Sequence, residues 1–422
     1  ITIPLLGMAD TAIAGRLGDS DSPIAALAIG SAIFNMIYWL CSFIRMGTSG
    51  ITAQAYGARN FGELGNTLIR SMAVSLVIGI LLLLFRNPIG RLSLSFMDGS
   101  ETVMSMAAEY FYARIWAAPA SVSLFSIHGW FIGMQDSKSP MVVALCSNVL
   151  NIVFSLLFVF RFDMGIAGIA WGTVVAQYGG VLLSWAIWWK YYRRIGRYAG
   201  IREGLRLKPV LKFFNINKDI FLRSLFNVAT YTFFTVASSH FGSDIILTTN
   251  SLLMQLFTLY SYMADGFAYA AESLVGRFIG ARNEPALKEV IKKLFAWSFG
   301  ISVVYVAVYI VGWEWILGIF NPTAETLEMA RSYIGWVIAI PILCAVPFLI
   351  DGIMLGATQT KVLRNTIFIA AIIYFGTYYA LVGTLGNTAL WLAFIMYISA
   401  RGILLWFATG KLDTARMMKG YK

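Results

Sequence analysis

Four carboxylates stand inside long apolar stretches of this chain: Asp10, Asp265, Glu272 and Asp351. A charge in hydrocarbon is costly, so an acid kept there marks an ion path, a proton relay or a fixed pair. Asp10 is the clearest case. Its stretch ends near Gly18, eight residues on, which is ~12 Å at about 1.5 Å per helical residue. A carboxylate at that depth can take a proton from one side of a membrane and release it to the other, or swap it for a cation. Its plainer role is a carboxyl fixed by neighbouring Asn or Thr groups. Asp265, Glu272 and Asp351 are secondary candidates for coupling. Each can face a central cavity, or instead pair with Arg277, Lys361 or Arg364. Arg45 stands near one end of its span, where its head can snorkel to the headgroups or pair with an acid.

The other reactive residue types are sparse. His128 and His240 are far apart, and Cys41, Cys146 and Cys344 lie in apolar segments without ligand spacing. No metal site is expected from them. The chain has no G-x-x-x-x-G-K-[ST] loop, no G-x-S-x-G and no paired-carboxylate hydrolase pattern. We therefore expect no catalytic residues, no cofactor and no ATP-driven step. Met8, Asn35, Met36, Tyr38, Asn148, Ser155, Met254, Tyr260 and Met263 fall on spans taken to line the space between two halves. Met and aromatic walls adapt to varied ligands, and rings attract organic cations. Packing and interface belts are the plainer reading for any one of them.

The elements that carry these residues are membrane spans. The chain has 422 residues, 59% of them hydrophobic and only 13% charged, against about 25% charged in soluble proteins. Apolar spans run at roughly 1–17, 23–46, 66–86, 107–134, 141–160 and 165–189. A second six run at 219–240, 245–272, 289–311, 329–354, 363–383 and 388–409. Backbone groups in lipid must be satisfied within each segment, so twelve helices are expected. The first span is short, and the chain opens without Met, so an N-terminal segment is expected to be missing. The net charge of +11 is read as lipid-facing loops, not nucleic-acid binding.

The chain also repeats itself. Gly57-Ala58-Arg59-Asn60 recurs as Gly280-Ala281-Arg282-Asn283, and Tyr110 as Tyr333. Gly129, Gly133, Ser137 and Lys138 recur as Gly352, Gly356, Thr360 and Lys361. Every pair is 223 residues apart. Two homologous halves, with a substrate site between them, are the usual build of a secondary transporter. We divide the chain into an N-lobe (1–193), a basic linker (194–218), a C-lobe (219–410) and a basic tail (411–422). The connector at 190–218 carries Lys190, Arg193, Arg194, Arg197, Arg202, Arg206, Lys208, Lys212 and Lys218, and is expected to lie on anionic lipid. The loops on the opposite side hold only Arg16, Arg86, Arg91 and Arg161. The positive-inside rule then puts both termini in the cytoplasm and makes the repeat parallel. Pro119, Pro341, Pro347, Gly165, Gly168 and Gly172 allow close packing, bends or hinges within spans.

With these features in place, the chain resembles the multidrug and toxic compound extrusion (MATE) family, and within it the DinF branch. The resemblance rests on Met8 to Gly15 (MADTAIAG), Leu40 to Gln54 (LCSFIRMGTSGITAQ) and Leu222 to Ser224 (LRS). It continues through Gly242 to Ile246 (GSDII), Asp265 to Glu272 (DGFAYAAE) and Asp351 to Lys361 (DGIMLGATQTK). These segments span nearly the whole chain in order. The resemblance implies two six-helix lobes around a V-shaped cavity, and export of organic, often cationic, compounds in exchange for H⁺ or Na⁺. It implies a bacterial inner-membrane protein that works as a monomer, with small organic molecules and the bilayer as its partners. Relatives carry an essential carboxylate in the first helix, which Asp10 matches. Asn151 and Thr173 match polar residues around it. A second acid of that cluster falls on Ser155, which cannot titrate, and the acid of a sodium site falls near Cys344. H⁺ is therefore the expected coupling ion, with Na⁺ as the alternative. A lipid-linked oligosaccharide flippase of the wider superfamily is the other alternative. It would need a cationic cavity, whereas the charges singled out above are mostly acidic. A membrane-embedded enzyme and a channel fit the residues less well.

Overall fold

The computed structural model describes residues 2–17, 22–320, 322–410 and 412–419. Gly18, where the first span is expected to end, and parts of the tail at 411–422 lie outside the described residues. Every described element is a helix. The first repeat comprises α1 (Thr2–Ala14), α2 (Ser22–Cys41), α3 (Phe43–Gly57), α4 (Phe61–Leu84), α5 (Arg86–Ser95), α6 (Glu101–Arg114), α7 (Ala118–Gly133), α8 (Lys138–Leu156) and α9 (Gly165–Tyr192). The short α10 (Ile201–Gly204) follows. The second repeat comprises α11 (Leu207–His240), α12 (Asp244–Gly280), α13 (Glu284–Gly318), α14 (Ala324–Gly356), α15 (Thr360–Leu385), α16 (Asn387–Ala408) and α17 (Thr414–Lys419). Ten stretches are long and apolar enough to cross a bilayer; α2–α3 and α6–α7 each count as one. By position in the repeat, α1 (13 residues) and α12 (37 residues) complete the twelve.

The chain forms two compact units. One holds residues up to 52 and 60–213; the other holds Ala53–Arg59 and residues from 214 onward. In the first, Phe34 stacks on Phe111 with centroids 5.2 Å apart, among buried Ile13, Tyr110 and Ile169. In the second, Phe234, Phe257, Trp391 and Phe394 meet edge to face. Such pairs stabilise beyond the area they bury.

The repeated residues have a common physical cause. In the first unit, a Cβ on Gly129 would overlap the Arg45 carbonyl, and one on Gly133 the Ser49 carbonyl. In the second, Gly352 stands against the Ala268 carbonyl and Gly356 against that of Glu272. Arg45 and Ala268, and Ser49 and Glu272, are again 223 apart. The G-x-x-x-G spacing thus packs α7 on α3 and α14 on α12 through matching glycine-to-carbonyl approaches, as small residues do in membrane helices. The Gly-Ala-Arg-Asn motifs are helix punctuation. Arg59 (φ 52°) and Arg282 (φ 53°) take the left-handed conformation that closes a helix. The next residue then caps the following helix: Asn60 Oδ1 accepts from Glu63 N–H at 3.0 Å, and Asn283 Oδ1 from Ala286 N–H at 3.1 Å. Within the second unit, Gly57 lies against the Arg277 carbonyl and Gly280 against that of Gln54, where any side chain would collide with backbone.

The linker is more ordered than a solvated tether. The Arg70 Nε–H donates to the Gly204 carbonyl at 3.1 Å, and the Gly200 N–H donates to Asn66 Oδ1 at 3.1 Å. Arg70, 2% exposed, also pairs with Glu63 at 3.1 Å. Its second half is already the first turns of α11, which starts at Leu207. Pro119 sits at the start of α7 after a tight turn at Ile115–Ala117, whereas Pro341 and Pro347 lie within the unbroken α14.

Candidate coupling sites in the two units

Three helices build the site of the first unit. α1 carries Asp10 and packs on α8 and α9. Asn151 on α8 donates through Nδ2 to Thr173 Oγ1 on α9 at 2.8 Å, and the Thr173 hydroxyl donates to the Ile169 carbonyl at 3.2 Å. This leaves two acceptors in want of a donor. Asp10 Oδ1 and Asn151 Oδ1 are both buried without a hydrogen-bond partner among the described residues. Buried acceptors left unmet are costly, and a proton on Asp10 would turn that carboxyl into a donor. Asn151 and Thr173, expected near Asp10 by resemblance, thus lie on the helices that α1 touches. Ser155 is fully buried and is held by the Ile169 carbonyl at 3.4 Å. Gly172 stands against its backbone. Ser155 is therefore a helix-packing residue, not part of a cavity wall.

A cation that the sequence reading passed over stands against the same core that α1 packs on. Arg114, at the end of α6, donates through Nη1 to the Tyr110 hydroxyl and to Ser31 Oγ at 3.4 Å. Its guanidinium lies 5.0 Å from the Phe34 ring centroid and 5.4 Å from that of Tyr110. Its charge is within electrostatic reach of Asp10 and Tyr38.

The second unit has a denser cluster. Asp351 on α14 pairs through Oδ2 with Arg401 of α16 and, at 3.6 Å, with Arg223 of α11. Arg223 and Arg401 are 8% and 5% exposed, so the three charges are desolvated together. Asp265 and Glu272 of α12 are within electrostatic reach of Arg223, and Asp265 also of Arg401. The expected partners of Asp351 were Arg277, Lys361 or Arg364. The structure corrects this: Arg364 pairs with Asp219 at 2.5 Å, while buried arginines from other helices reach Asp351. Three intramembrane arginines also remove the premise that the interior charges are mostly acidic. The signal was available, since Arg114, Arg223 and Arg401 all fall within the apolar spans read from the sequence. The rule applied to acids holds equally for cations.

The remaining candidates separate by exposure. Met8, Asn35, Met36 and Met263 are exposed, and Tyr38, Asn148 and Met254 are half-buried. Tyr260 is fully buried, its hydroxyl 2.8 Å from Ser302 Oγ, so it belongs to the core of the second unit. His128 lies in the helix contact of α3 and α7, within electrostatic reach of Arg45. Among the described residues no three His, Cys, Asp or Glu side chains group as a metal site would require.

Two repeats with glycine-matched packing agree with the family comparison. The MatE family model matches residues 1–157 and 220–380, one block in each repeat. The chain belongs to the MatE family. It is 35% identical over 410 residues to the DNA damage-inducible protein F of Escherichia coli, covering 96% of this chain and 88% of that protein. It is 22% identical to the probable multidrug resistance protein NorM of Acinetobacter baylyi, over 95% and 90% of the two chains. A MATE crystal structure in the bent conformation superposes with a TM-score of 0.85 at 20% identity, covering 99% of this chain and 93% of that one. The outward-facing structure of a multidrug resistance MATE family transporter gives 0.84 with the same coverage. A multi-span, all-α membrane transporter fold of the MATE type is thereby established.

Proposed function

We propose that the chain is a secondary exporter of amphipathic organic compounds that exchanges them for H⁺ through Asp10. The observation that carries this reading is the pair of unmet acceptors, Asp10 Oδ1 and Asn151 Oδ1. A protonated Asp10 relieves that lack; an ionised Asp10 awaits a donor that a substrate can bring. Proton uptake from outside then lowers substrate affinity, and proton loss inside restores it. Both termini lie in the cytoplasm, and the protein works as a monomer in a bacterial inner membrane. Moving one charge through 100 mV supplies about 2.3 kcal/mol, which supports a useful gradient when added to ΔpH. Relatives named for multidrug resistance support the substrate class.

Two readings compete. Na⁺ coupling through Asp265, Glu272 or Asp351 is favoured by their shared electrostatic cluster, although Asp351 is already engaged by two guanidinium groups. A flippase for lipid-linked phosphates gains from the buried arginines. Efflux from proteoliposomes, with wild type and Asp10→Asn, under an imposed ΔpH or an imposed Na⁺ gradient separates them. ΔpH-driven efflux lost in the variant supports coupling at Asp10. Efflux driven by Na⁺, or retained by the variant, overturns it.

A further inference from the structure

We propose that residues 193–212 form an interfacial anchor that inserts at the bilayer surface and selects anionic phospholipid headgroups. Such an anchor is independent of where the proton couples. It goes beyond the charge of the segment, because the structure fixes its depth. The Gly204 carbonyl and the Gly200 N–H bond to Arg70 and Asn66 of α4. Gly65 stands against Ala199, and Gly204 against Ile69. The Phe61 and Tyr198 rings meet with centroids 5.7 Å apart. These contacts lay the segment along the first turns of α4. The 24 residues of α4 measure ~36 Å at about 1.5 Å each, against a hydrocarbon core of about 30 Å. Residues 65–70 therefore stand at the edge of the hydrocarbon. Residues 199–204, beside them, stand where headgroups meet acyl chains.

The side chains suit that depth. Arg193, Arg194, Arg197, Arg202, Lys208 and Lys212 are exposed. Glu203 is the one acid among residues 193–212, and it already faces Arg206 at 3.8 Å. Interleaved with the cations, Ile201, Leu205, Leu207 and Leu211 are exposed too, Ile201 at 72% and Leu207 at 70%. In the first turn of α11, Leu207 and Leu211 make one stripe and Lys208 and Lys212 the next, since residues four apart share a helix face. Apolar side chains at the acyl boundary leave water, while the cations beside them reach lipid phosphates. An acidic soluble partner would suit the cations alone. The leucines, at this depth, favour the bilayer.

Fluorescence quenching in proteoliposomes tests this. A bimane label is placed on Ile201→Cys in the whole chain carrying Cys146→Ser, since Cys41 and Cys344 are buried. The quenchers are phosphatidylglycerol and phosphatidylcholine, each with a nitroxide near the top of the acyl chain. Both should quench the label, and aqueous acrylamide should not reach it. Phosphatidylglycerol should act as if locally enriched by about fivefold or more, the share of one basic residue at an anionic surface. The same label on Phe96→Cys, in α5 beyond the other end of α4, should see the two lipids within about twofold of each other. The combined Arg193→Gln, Arg194→Gln, Arg197→Gln and Arg202→Gln variant should bring the Ile201 ratio down to that of Phe96. So should raising the ionic strength from about 0.1 M to about 1 M with all cations in place, which shortens the screening length from about 10 Å to about 3 Å. A label open to acrylamide and untouched by the lipid nitroxides overturns the proposal and leaves the segment to water or a soluble partner. A ratio equal at Ile201 and Phe96, or unmoved by neutralisation or by salt, overturns it as well. If the four-site variant does not fold, the salt arm decides alone.

Discussion

The two units share their packing and differ in their buried charges. Both press a glycine pair on one helix against the backbone of another, at positions 223 residues apart. Yet His128 stands where the second unit has Asp351, and Ser49 where it has Glu272. In the first unit Asp10 Oδ1 lacks a hydrogen bond, and the second buries Glu272 fully, within electrostatic reach of Arg223. The second ties Asp351 between Arg223 and Arg401. A duplicated scaffold constrains where backbones touch, and leaves side chains away from those contacts free to diverge. On the function proposed above, the difference is a division of labour: a titrating group in one unit and a fixed electrostatic clamp in the other.

Asp10→Asn is the sharpest way to break that comparison. It should reduce ΔpH-driven efflux to the liposome background while shifting stability by no more than about 1 kcal/mol, read as the thermal midpoint of the purified protein. Full efflux would end the distinction between the units. Next in size is Asp351→Ala. It leaves two buried guanidinium groups facing each other and should cost about 3–5 kcal/mol. An unchanged midpoint would mean that the cluster is not a clamp.

A smaller effect tests the shared half of the comparison. Gly133→Val and Gly356→Val each force a side chain onto a backbone carbonyl, of Ser49 and Glu272 respectively. Each should cost about 1–3 kcal/mol, and the two costs should agree within about 1 kcal/mol. A large cost on one side only would mean that the repeat is no longer mechanical.

The smallest effect lies outside the spans, in the turn between α7 and α8. Burial opposes ionisation of Asp136. The Ser139 hydroxyl and N–H, the Tyr192 hydroxyl and the Lys138 N–H outweigh it and hold the carboxyl below its ordinary range. These donors lie at 2.5, 3.0, 2.8 and 3.1 Å. A depressed acid stabilises above the ordinary carboxylate range, and that contribution fades as pH falls through and below it. Asp136→Ala should therefore cost about 1–2 kcal/mol at neutral pH and progressively less in acid. Its repeat partner Gln359 caps α15 without a side-chain hydrogen bond, so Gln359→Ala should cost less, with no pH dependence. Equal and pH-independent losses would contradict the assignment.

Much of this was legible in the residues. Twelve apolar spans, the repeat and the acid in the first helix follow from composition, periodicity and the cost of charge in hydrocarbon. The resemblance carried by MADTAIAG and DGIMLGATQTK then named Asn151 and Thr173, which bond to each other. What stayed hidden was pairing. Asp351 was matched to basic residues near it in sequence, whereas its partners come from α11 and α16. Ser155 and Tyr260 were placed in a cavity because polar and aromatic residues can line one, yet both are buried in helix contacts.

The sequence by itself determined that this chain spans a membrane, that it was duplicated, and that Asp10 is the acid to examine. Those properties depend on local hydropathy and on matching positions along one chain. Only the tertiary structure decided which charges meet: Arg223 and Arg401 on Asp351, and Arg364 on Asp219. Such encounters depend on how helices distant in sequence pack, and on which face each one turns toward its neighbours.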